Sequence, residues 1–240
     1  MRTKIREILH KQYLKILLIA LTLLIVGRPL AGTDETGRIL QTGLFTVVLF
    51  TSCLSLQRRL FLFIALGAAM VVNLVWSMSA LNSHPFFCTT SFQISALLAA
   101  ILFLTISGGA IVKRVFSRGL VDTNKICGAI VVYLLIGLIF GLLFECALMI
   151  EPGCLVSTTS ELALTNPESF KADMLVSYFS FVTLTTLGYG DVVPVSITTR
   201  TLALVEAVVG QLFIAILIAR LVSLSIVHES MKDTDAVSGS

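Results

Sequence analysis

The feature that most constrains this chain is a series of long apolar runs with almost no acidic residues among them. No Asp or Glu occurs between Glu35 and Asp122. Six apolar segments stand out, at residues 14–31, 39–56, 60–80, 92–112, 126–150 and 196–227. About 20 apolar residues in a helix cross the roughly 30 Å core of a bilayer, and backbone groups in hydrocarbon must bond within the protein. We therefore predict an all-α integral membrane protein with six transmembrane helices.

The composition argues against several classes of protein. Hydrophobic residues make up 56% of the chain and charged residues only 13%, whereas soluble domains carry about 25% charged residues. The basic residues flank the apolar runs in short segments, so we predict no nucleic-acid partner. No paired carboxylates or nucleophile–base set suggests an enzyme, and the five cysteines lack metal-ligand spacing. We interpret the cysteines as small apolar residues, with a bond between Cys88 and Cys154 on the outer side as an open alternative.

The basic residues also predict the orientation of the helices. With the N-terminus in the cytoplasm, 13 of the 17 Lys and Arg residues fall on the inner side, and the outer side keeps only Arg28, Arg38, Lys171 and Arg200. Positive charge is enriched in cytoplasmic loops, so we predict a multi-pass plasma-membrane protein with both termini cytoplasmic. The basic start followed by the apolar residues 16–26 also fits a cleaved signal sequence. Cleavage there would leave the other five helices in the same orientation.

The segment between the last two apolar runs carries the chemistry. Residues 173–185 read DMLVSYFSFVTLT, which is apolar but too short to cross a membrane, and TLGYGD follows at once. Non-helical backbone at membrane depth is tolerated only where it is buried in protein or lines a water-filled path. We therefore predict a re-entrant pore helix and a return loop between helices 5 and 6.

Two glycines in the return loop explain how it would bind a cation. For a row of backbone carbonyls to point at one axis, alternate residues must adopt conformations that disfavour a side chain, and Gly188 and Gly190 have no Cβ. Thr186 adds a hydroxyl oxygen at the inner end. The carbonyls of Thr186, Leu187, Gly188 and Tyr189 would then replace the water shell of a dehydrated cation. One chain supplies one wall of such a ring, so several copies must converge.

The run TLGYGD at residues 186–191 resembles the selectivity filter of the potassium channel superfamily, in which a ring of carbonyls selects K+. The resemblance covers about residues 126–227 and implies an outer helix, a pore helix, a filter and an inner helix. It implies a potassium-selective homotetramer with K+ as the permeant ion and no other cofactor. Leu187 stands where the family most often has valine, and only its carbonyl would face the ion. The implied ion-binding residues are Thr186, Leu187, Gly188, Tyr189 and Gly190.

Residues around the filter receive supporting and gating roles. We expect Thr185, Asp191 and Glu206 to support the filter, because an ionisable group within a membrane helix usually faces protein or water. Gly210 lies 19 residues after Asp191, where similar channels often carry a hinge glycine, and close packing is an equal alternative. A ring of apolar residues can close a pore by dewetting. The candidates for this gate are Ile214, Ile218, Ala219, Val222 and Ile226.

The first four helices have the number, but not the charge, of a voltage sensor. A sensing helix needs several Arg or Lys residues within the membrane, and residues 92–112 contain none. We predict a four-helix N-terminal region at 1–120 with a role in packing, assembly or response to lipid, a pore domain at 121–228 and a disordered cytosolic tail at 229–240.

Two other functions compete with the channel. A potassium transporter built from pore-loop repeats would carry four loops in one chain, and this chain has one. A non-conducting or regulatory membrane subunit with a vestigial pore is the other alternative. The intact TLGYGD run argues against a vestigial pore, and a flux measurement decides between this alternative and the channel.

Overall fold

The computed structural model describes residues 2–30, 35–53, 90–117, 123–158 and 170–238. Six helices and a two-stranded sheet form within these ranges. The helices are α1 (Arg2–Leu30), α2 (Glu35–Cys53), α3 (Thr90–Val115), α4 (Thr123–Ile150), α5 (Phe170–Leu184) and α6 (Ile197–Ser238), and the strands are β1 (Leu155–Ser157) and β2 (Val192–Pro194).

Three helices in the described ranges are long and apolar enough to cross a membrane. They are the parts of α3, α4 and α6 at Gln93–Val115, Asn124–Ile150 and Ile197–Arg220. The apolar parts of α1 and α2, Tyr13–Gly27 and Leu40–Ser52, are shorter. Five of the six predicted segments therefore coincide with helices, and the sixth, residues 60–80, lies outside the described residues.

Helix α4 lies at the centre of the described fold and packs against α1, α3, α5 and α6. On α1, Leu14, Leu17, Leu21 and Leu24 are buried in this core. Their spacing of three and four residues places them on one helical face. The apolar stripe of α1 therefore fixes the N-terminal region directly against the helix that also supports α5.

Helix α5 is held between α4 and the sheet by a second apolar cluster. Phe144 of α4 packs edge to face against Phe179 of α5, with 5.0 Å between the ring centroids. Such pairs of aromatic rings favour this geometry. Gly137 and Gly141 of α4 face α5 and let the two helices approach closely. The position of α5 is thus set by packing along its length.

The antiparallel strand pair is an element that the sequence analysis did not predict. Leu155 pairs with Pro194 and Ser157 with Val192. The pairing continues beyond the strands, where the N–H of Val195 donates to the carbonyl of Cys154 at 2.9 Å. The sheet joins the chain before α5 to the chain after the 185–191 loop, so it closes the segment that carries the TLGYGD run.

The C-terminal end of α6 differs from the prediction. A disordered tail was expected at 229–240, whereas the helix continues to Ser238. Extending an existing helix adds one hydrogen bond for each residue that is fixed, and it avoids the cost of nucleation. A polar segment directly after a long helix can therefore remain helical where the same segment alone would not.

Cys154 is buried and forms no disulfide with another cysteine in the described part of the chain. Burial raises the pKa of this thiol to about 11, so it is protonated at neutral pH. Cys88, its partner in the alternative interpretation, lies outside the described residues, so the bond between them stays an open alternative.

Candidate functional site

The loop at residues 185–191 begins as the C-terminal cap of α5. The N–H of Leu187 donates to the carbonyl of Val182 at 2.9 Å, and the N–H of Thr186 donates to the carbonyl of Thr183 at 3.0 Å. These two bonds around a left-handed residue form a Schellman motif. Thr186 is that residue, with a φ of 58°, at a position that is usually glycine. The last turn of α5 and the start of the loop are therefore one hydrogen-bonded unit.

Left-handed residues alternate with ordinary residues along the loop. The φ angles of Thr186, Gly188 and Gly190 are 58°, 55° and 76°. The φ angles of Leu187 and Tyr189 lie outside the left-handed region. This conformation costs a residue with a side chain about 1–2 kcal/mol, so glycine is favoured at the second and third of these positions. The alternation is the backbone pattern that the sequence predicts for a row of carbonyls.

The carbonyls of the loop fall into two groups. Those of Thr186, Leu187, Gly188 and Tyr189 accept no hydrogen bond from any residue that the structure describes. The carbonyls on either side are occupied: that of Thr185 accepts from the Thr186 hydroxyl at 2.7 Å. Because backbone polar groups in a folded protein normally have partners, four consecutive open carbonyls point to a ligand or to solvent at this position.

Thr158 occupies the carbonyls at the C-terminal end of the loop. Its N–H donates to the Asp191 carbonyl at 2.8 Å, and its hydroxyl lies 3.2 Å from the carbonyl oxygens of Gly190 and Asp191. Gly190 therefore differs from the four residues before it, because its carbonyl has a partner within the chain. The open row ends at Tyr189.

The Asp191 carboxylate ties the loop back to α5. One oxygen accepts the Tyr178 hydroxyl proton at 2.8 Å, and the other accepts the N–H of Val192 at 3.0 Å. Hydrogen bonds to an ionised group are stronger than neutral ones. The C-terminal end of the loop is thus fixed both from α5 and from the sheet.

Gly210 lies where α6 passes close to the end of α5. A Cβ at this position would lie 2.7 Å from the Leu184 carbonyl oxygen and 2.8 Å from Leu184 Cδ1. The same carbonyl accepts the Tyr133 hydroxyl proton at 3.2 Å. Of the two roles that the sequence left open for Gly210, this geometry supports close packing.

Glu206 is fully buried and supports α5 rather than the loop itself. Its Oε1 lies 2.5 Å from the hydroxyl oxygen of Ser180, which in turn lies 2.7 Å from the Gly137 carbonyl oxygen. The serine hydroxyl has one proton and cannot donate to both oxygens. If that proton goes to Gly137, which can only accept, the second bond needs a proton on Glu206. The geometry therefore indicates a neutral carboxyl group that donates to Ser180, which donates to Gly137.

The gate candidates lie around the middle of α6. Ile218, Ala219 and Val222 are exposed in the single chain, and Ile214 is half-buried. The side chain of Ile226 lies outside the described residues. Nearby, the Arg220 guanidinium donates to the Ser117 carbonyl at 2.8 Å and stacks on the Phe116 ring.

Sequence reasoning missed several residues that hold this site. Each of them bonds to a partner at least 13 positions away, so no local spacing reveals the pairing. A polar residue inside an apolar segment was the available signal for Ser180 and Gln211. The missed residues are Tyr133, Thr158, Tyr178, Ser180 and Gln211.

Residues 155–226 match a protein-family model described as an ion channel. The matched stretch begins at β1, contains α5, the loop and β2, and ends within α6. This match supports an ion channel function and, together with the long apolar helices, a membrane protein. Neither the curated proteins nor the solved structures include a match to the chain.

Proposed function

We propose that the protein is a subunit of a potassium-selective channel. The observation that carries the proposal is the row of four open carbonyls at Thr186, Leu187, Gly188 and Tyr189, flanked by occupied carbonyls on both sides. A dehydrated K+ ion needs several oxygen ligands in place of water, and these four residues offer them in sequence. Gly190 contributes its conformation, since its own carbonyl is bonded to Thr158.

The exposure of the loop supports an assembly of four chains around one axis. Residues 185–190 are all exposed in the single chain, and Tyr189 is 67% exposed. Non-helical backbone at membrane depth must be covered by protein or must line water. Since each chain supplies one loop, we propose a homotetramer in which four loops face each other and water fills the path between them.

The pore would then consist of α4 as outer helix, α5 as re-entrant pore helix, the loop as selectivity filter and α6 as inner helix. A helix carries partial negative charge at its C-terminal end, and the loop starts where α5 ends, which favours a cation there. The exposed residues Ile218, Ala219 and Val222 on the inner half of α6 are the proposed gate. With the predicted segment at residues 60–80 as a sixth transmembrane helix beside α1, α2, α3, α4 and α6, both termini lie in the cytoplasm. The protein then resides in the plasma membrane, surrounded by lipid.

The N-terminal helices are proposed to pack and assemble the pore without sensing voltage strongly. Helix α3 carries its basic residues, Lys113 and Arg114, only in the last turn. A voltage sensor needs several charges that move within the field. We therefore expect conduction that depends only weakly on membrane potential.

Reconstitution in liposomes tests the proposed function. The purified protein should pass K+ at least tenfold faster than Na+, and cross-linking should give four chains per assembly. Protein-free liposomes provide the baseline. Equal K+ and Na+ fluxes would exclude the selective filter. A folded protein that passes neither ion at any voltage would favour the alternative, a non-conducting or regulatory subunit.

A further inference from the structure

Gln211 connects the inner helix to the first residue of the proposed filter. It directly follows Gly210 on α6, and its side-chain nitrogen lies 3.2 Å from the Thr186 hydroxyl oxygen. Both side chains are exposed in the single chain. Among the described residues, this contact is a direct hydrogen bond between the side chains of α6 and the 185–191 loop.

The Gln211 amide nitrogen can only donate, so the Thr186 hydroxyl oxygen accepts this hydrogen bond. The Thr186 hydroxyl donates its single proton to the Thr185 carbonyl at 2.7 Å. A hydroxyl oxygen also has two acceptor lone pairs, and the Gln211 amide can use one of them by donating. One lone pair remains. Thr186 therefore keeps one hydroxyl lone pair for a ligand only while its proton stays turned toward Thr185.

The backbone around this contact holds Gln211 in place. Gly210 allows α6 to approach the Leu184 carbonyl. Because Gln211 is the next residue, this contact also fixes the position of Gln211 relative to the end of α5. Thr186 itself is held in the left-handed region, which is costly for threonine, by its bond to Thr183. A donor from α6 adds a second restraint, on the side chain of the same residue.

We propose that Gln211 is a positioning residue for the innermost ion site of the filter. Its amide N–H holds the Thr186 hydroxyl in the rotamer that leaves a lone pair open to the cation. This inference rests on the proposed potassium channel function. In the tetramer, four Gln211 amides would form a ring beneath the filter, each restraining one Thr186 hydroxyl.

Loss of the amide donor should weaken ion binding at the inner end of the filter. Without it, the Thr186 hydroxyl can rotate away from the Thr185 carbonyl and turn its proton toward the ion path. A neutral hydrogen bond contributes about 0.5–1.5 kcal/mol, which corresponds to about a 2- to 10-fold change in binding. Ba2+ is the suitable probe, because it is close to K+ in size and carries twice the charge.

The experiment measures Ba2+ block and the K+/Na+ flux ratio for Gln211→Met in liposomes. Methionine keeps the length of the side chain but has no N–H. Block by Ba2+ added on the cytoplasmic side should weaken about 2- to 10-fold, while block from the outer side should stay unchanged. Leu212→Met, at the next position, which is also exposed, is the control and should behave like the wild type.

A second variant covers the case in which Gln211→Met fails to assemble. Gln211→Glu keeps size and polarity, but an ionised carboxylate can only accept, so the K+/Na+ ratio should fall even though its charge attracts Ba2+. Unchanged ratios and unchanged block in the assembled variants would overturn the role of Gln211. A wild-type protein without selective K+ flux would instead overturn the channel itself, so the two failures are distinguishable.

Discussion

Gly210 of α6 lies in close contact with Leu184 of α5, because a Cβ at position 210 would lie only 2.7 Å from the Leu184 carbonyl oxygen. That oxygen belongs to the last residue of α5. The carbonyl is backbone and cannot move aside without moving the end of the helix. The position of the loop therefore depends on the absence of a side chain at residue 210.

The first prediction is that Gly210→Ala destabilises the protein. The methyl group must push α6 away from α5, and overpacking of this kind costs about 1–3 kcal/mol. The free energy of unfolding in detergent, measured by denaturant titration, gives the effect. Gly109→Ala on α3 is the matched control, because a Cβ there meets nothing within 4 Å. If both variants are as stable as the wild type, the close-packing role of Gly210 is wrong.

The second prediction concerns Gly188, in the middle of the open row of carbonyls. Its φ of 55° is unfavourable for L-alanine, so Gly188→Ala should turn the backbone and displace at least one carbonyl. We expect at least a tenfold loss in the K+/Na+ flux ratio. A d-alanine at the same position, introduced by peptide ligation, adds the same methyl group but prefers positive φ. Retained selectivity with d-alanine would support the conformational argument, and equal loss with both would contradict it.

Much of the fold was predictable because long apolar runs have few alternatives in a membrane. The predicted segment at 126–150 ends where α4 ends, and the segment at 196–227 begins one residue before α6. The strand pair was not predictable, because each strand has three residues and their pairing joins positions such as Leu155 and Pro194. Local patterns carry no information about contacts over that separation.

The site divides in the same way. The left-handed conformations of Gly188 and Gly190 were predictable, because a residue without a Cβ adopts them at little cost. Glu206 was predicted to support the filter, but its partner, Ser180, depends on how α5 and α6 are rotated against each other. Rotation of this kind is set by packing of the whole interface, so the sequence indicated that Glu206 needs a partner without indicating which one.

The third prediction follows from the proton that the geometry assigns to Glu206. Glutamine can also donate to Ser180, so Glu206→Gln should keep the chain of bonds to Gly137 and change the free energy of unfolding by less than about 1 kcal/mol. Glu206→Leu and Ser180→Ala should each destabilise the protein by about 1–3 kcal/mol, because each leaves a buried polar group unpaired. Denaturant titration of the three variants compares them. A Gln variant as unstable as the Leu variant would indicate an ionised Glu206.

The fourth prediction concerns the bond between Tyr178 and Asp191. Tyr178→Phe removes the donor 2.8 Å from the carboxylate and loosens the outer end of the loop. We expect a coupling energy of about 0.5–1.5 kcal/mol between the two positions in a double-mutant cycle with Asp191→Ala. The steady K+ flux of Tyr178→Phe should also fall several-fold. Additive effects of the two substitutions would show that the hydrogen bond does not stabilise the folded protein.

The last prediction concerns Arg220, at the end of the long apolar part of α6, which binds the two residues that follow α3. Its guanidinium lies 4.7 Å from the centroid of the Phe116 ring and donates to the Ser117 carbonyl at 2.8 Å. Stacking and a charged hydrogen bond each contribute about 1 kcal/mol or more. Arg220→Met should therefore speed hydrogen exchange of the backbone amides at 216–222 by about 30-fold, because the two contributions together are about 2 kcal/mol and every 1.4 kcal/mol corresponds to a factor of ten.

Two control variants separate the geometry of Arg220 from its charge and its position. Arg220→Lys keeps the charge but lacks the planar guanidinium, which stacks on the Phe116 ring and donates to the Ser117 carbonyl at the same time. The exchange rate of this variant should therefore lie between those of the wild type and Arg220→Met. Arg200→Met makes the same change near the other end of α6, where the side chain bonds to the Pro194 carbonyl, and should leave exchange at 216–222 unchanged. Equal rates for Arg220→Met and the wild type would mean that α3 does not restrain the inner end of α6. The gate proposed there would then have to move independently of the N-terminal helices.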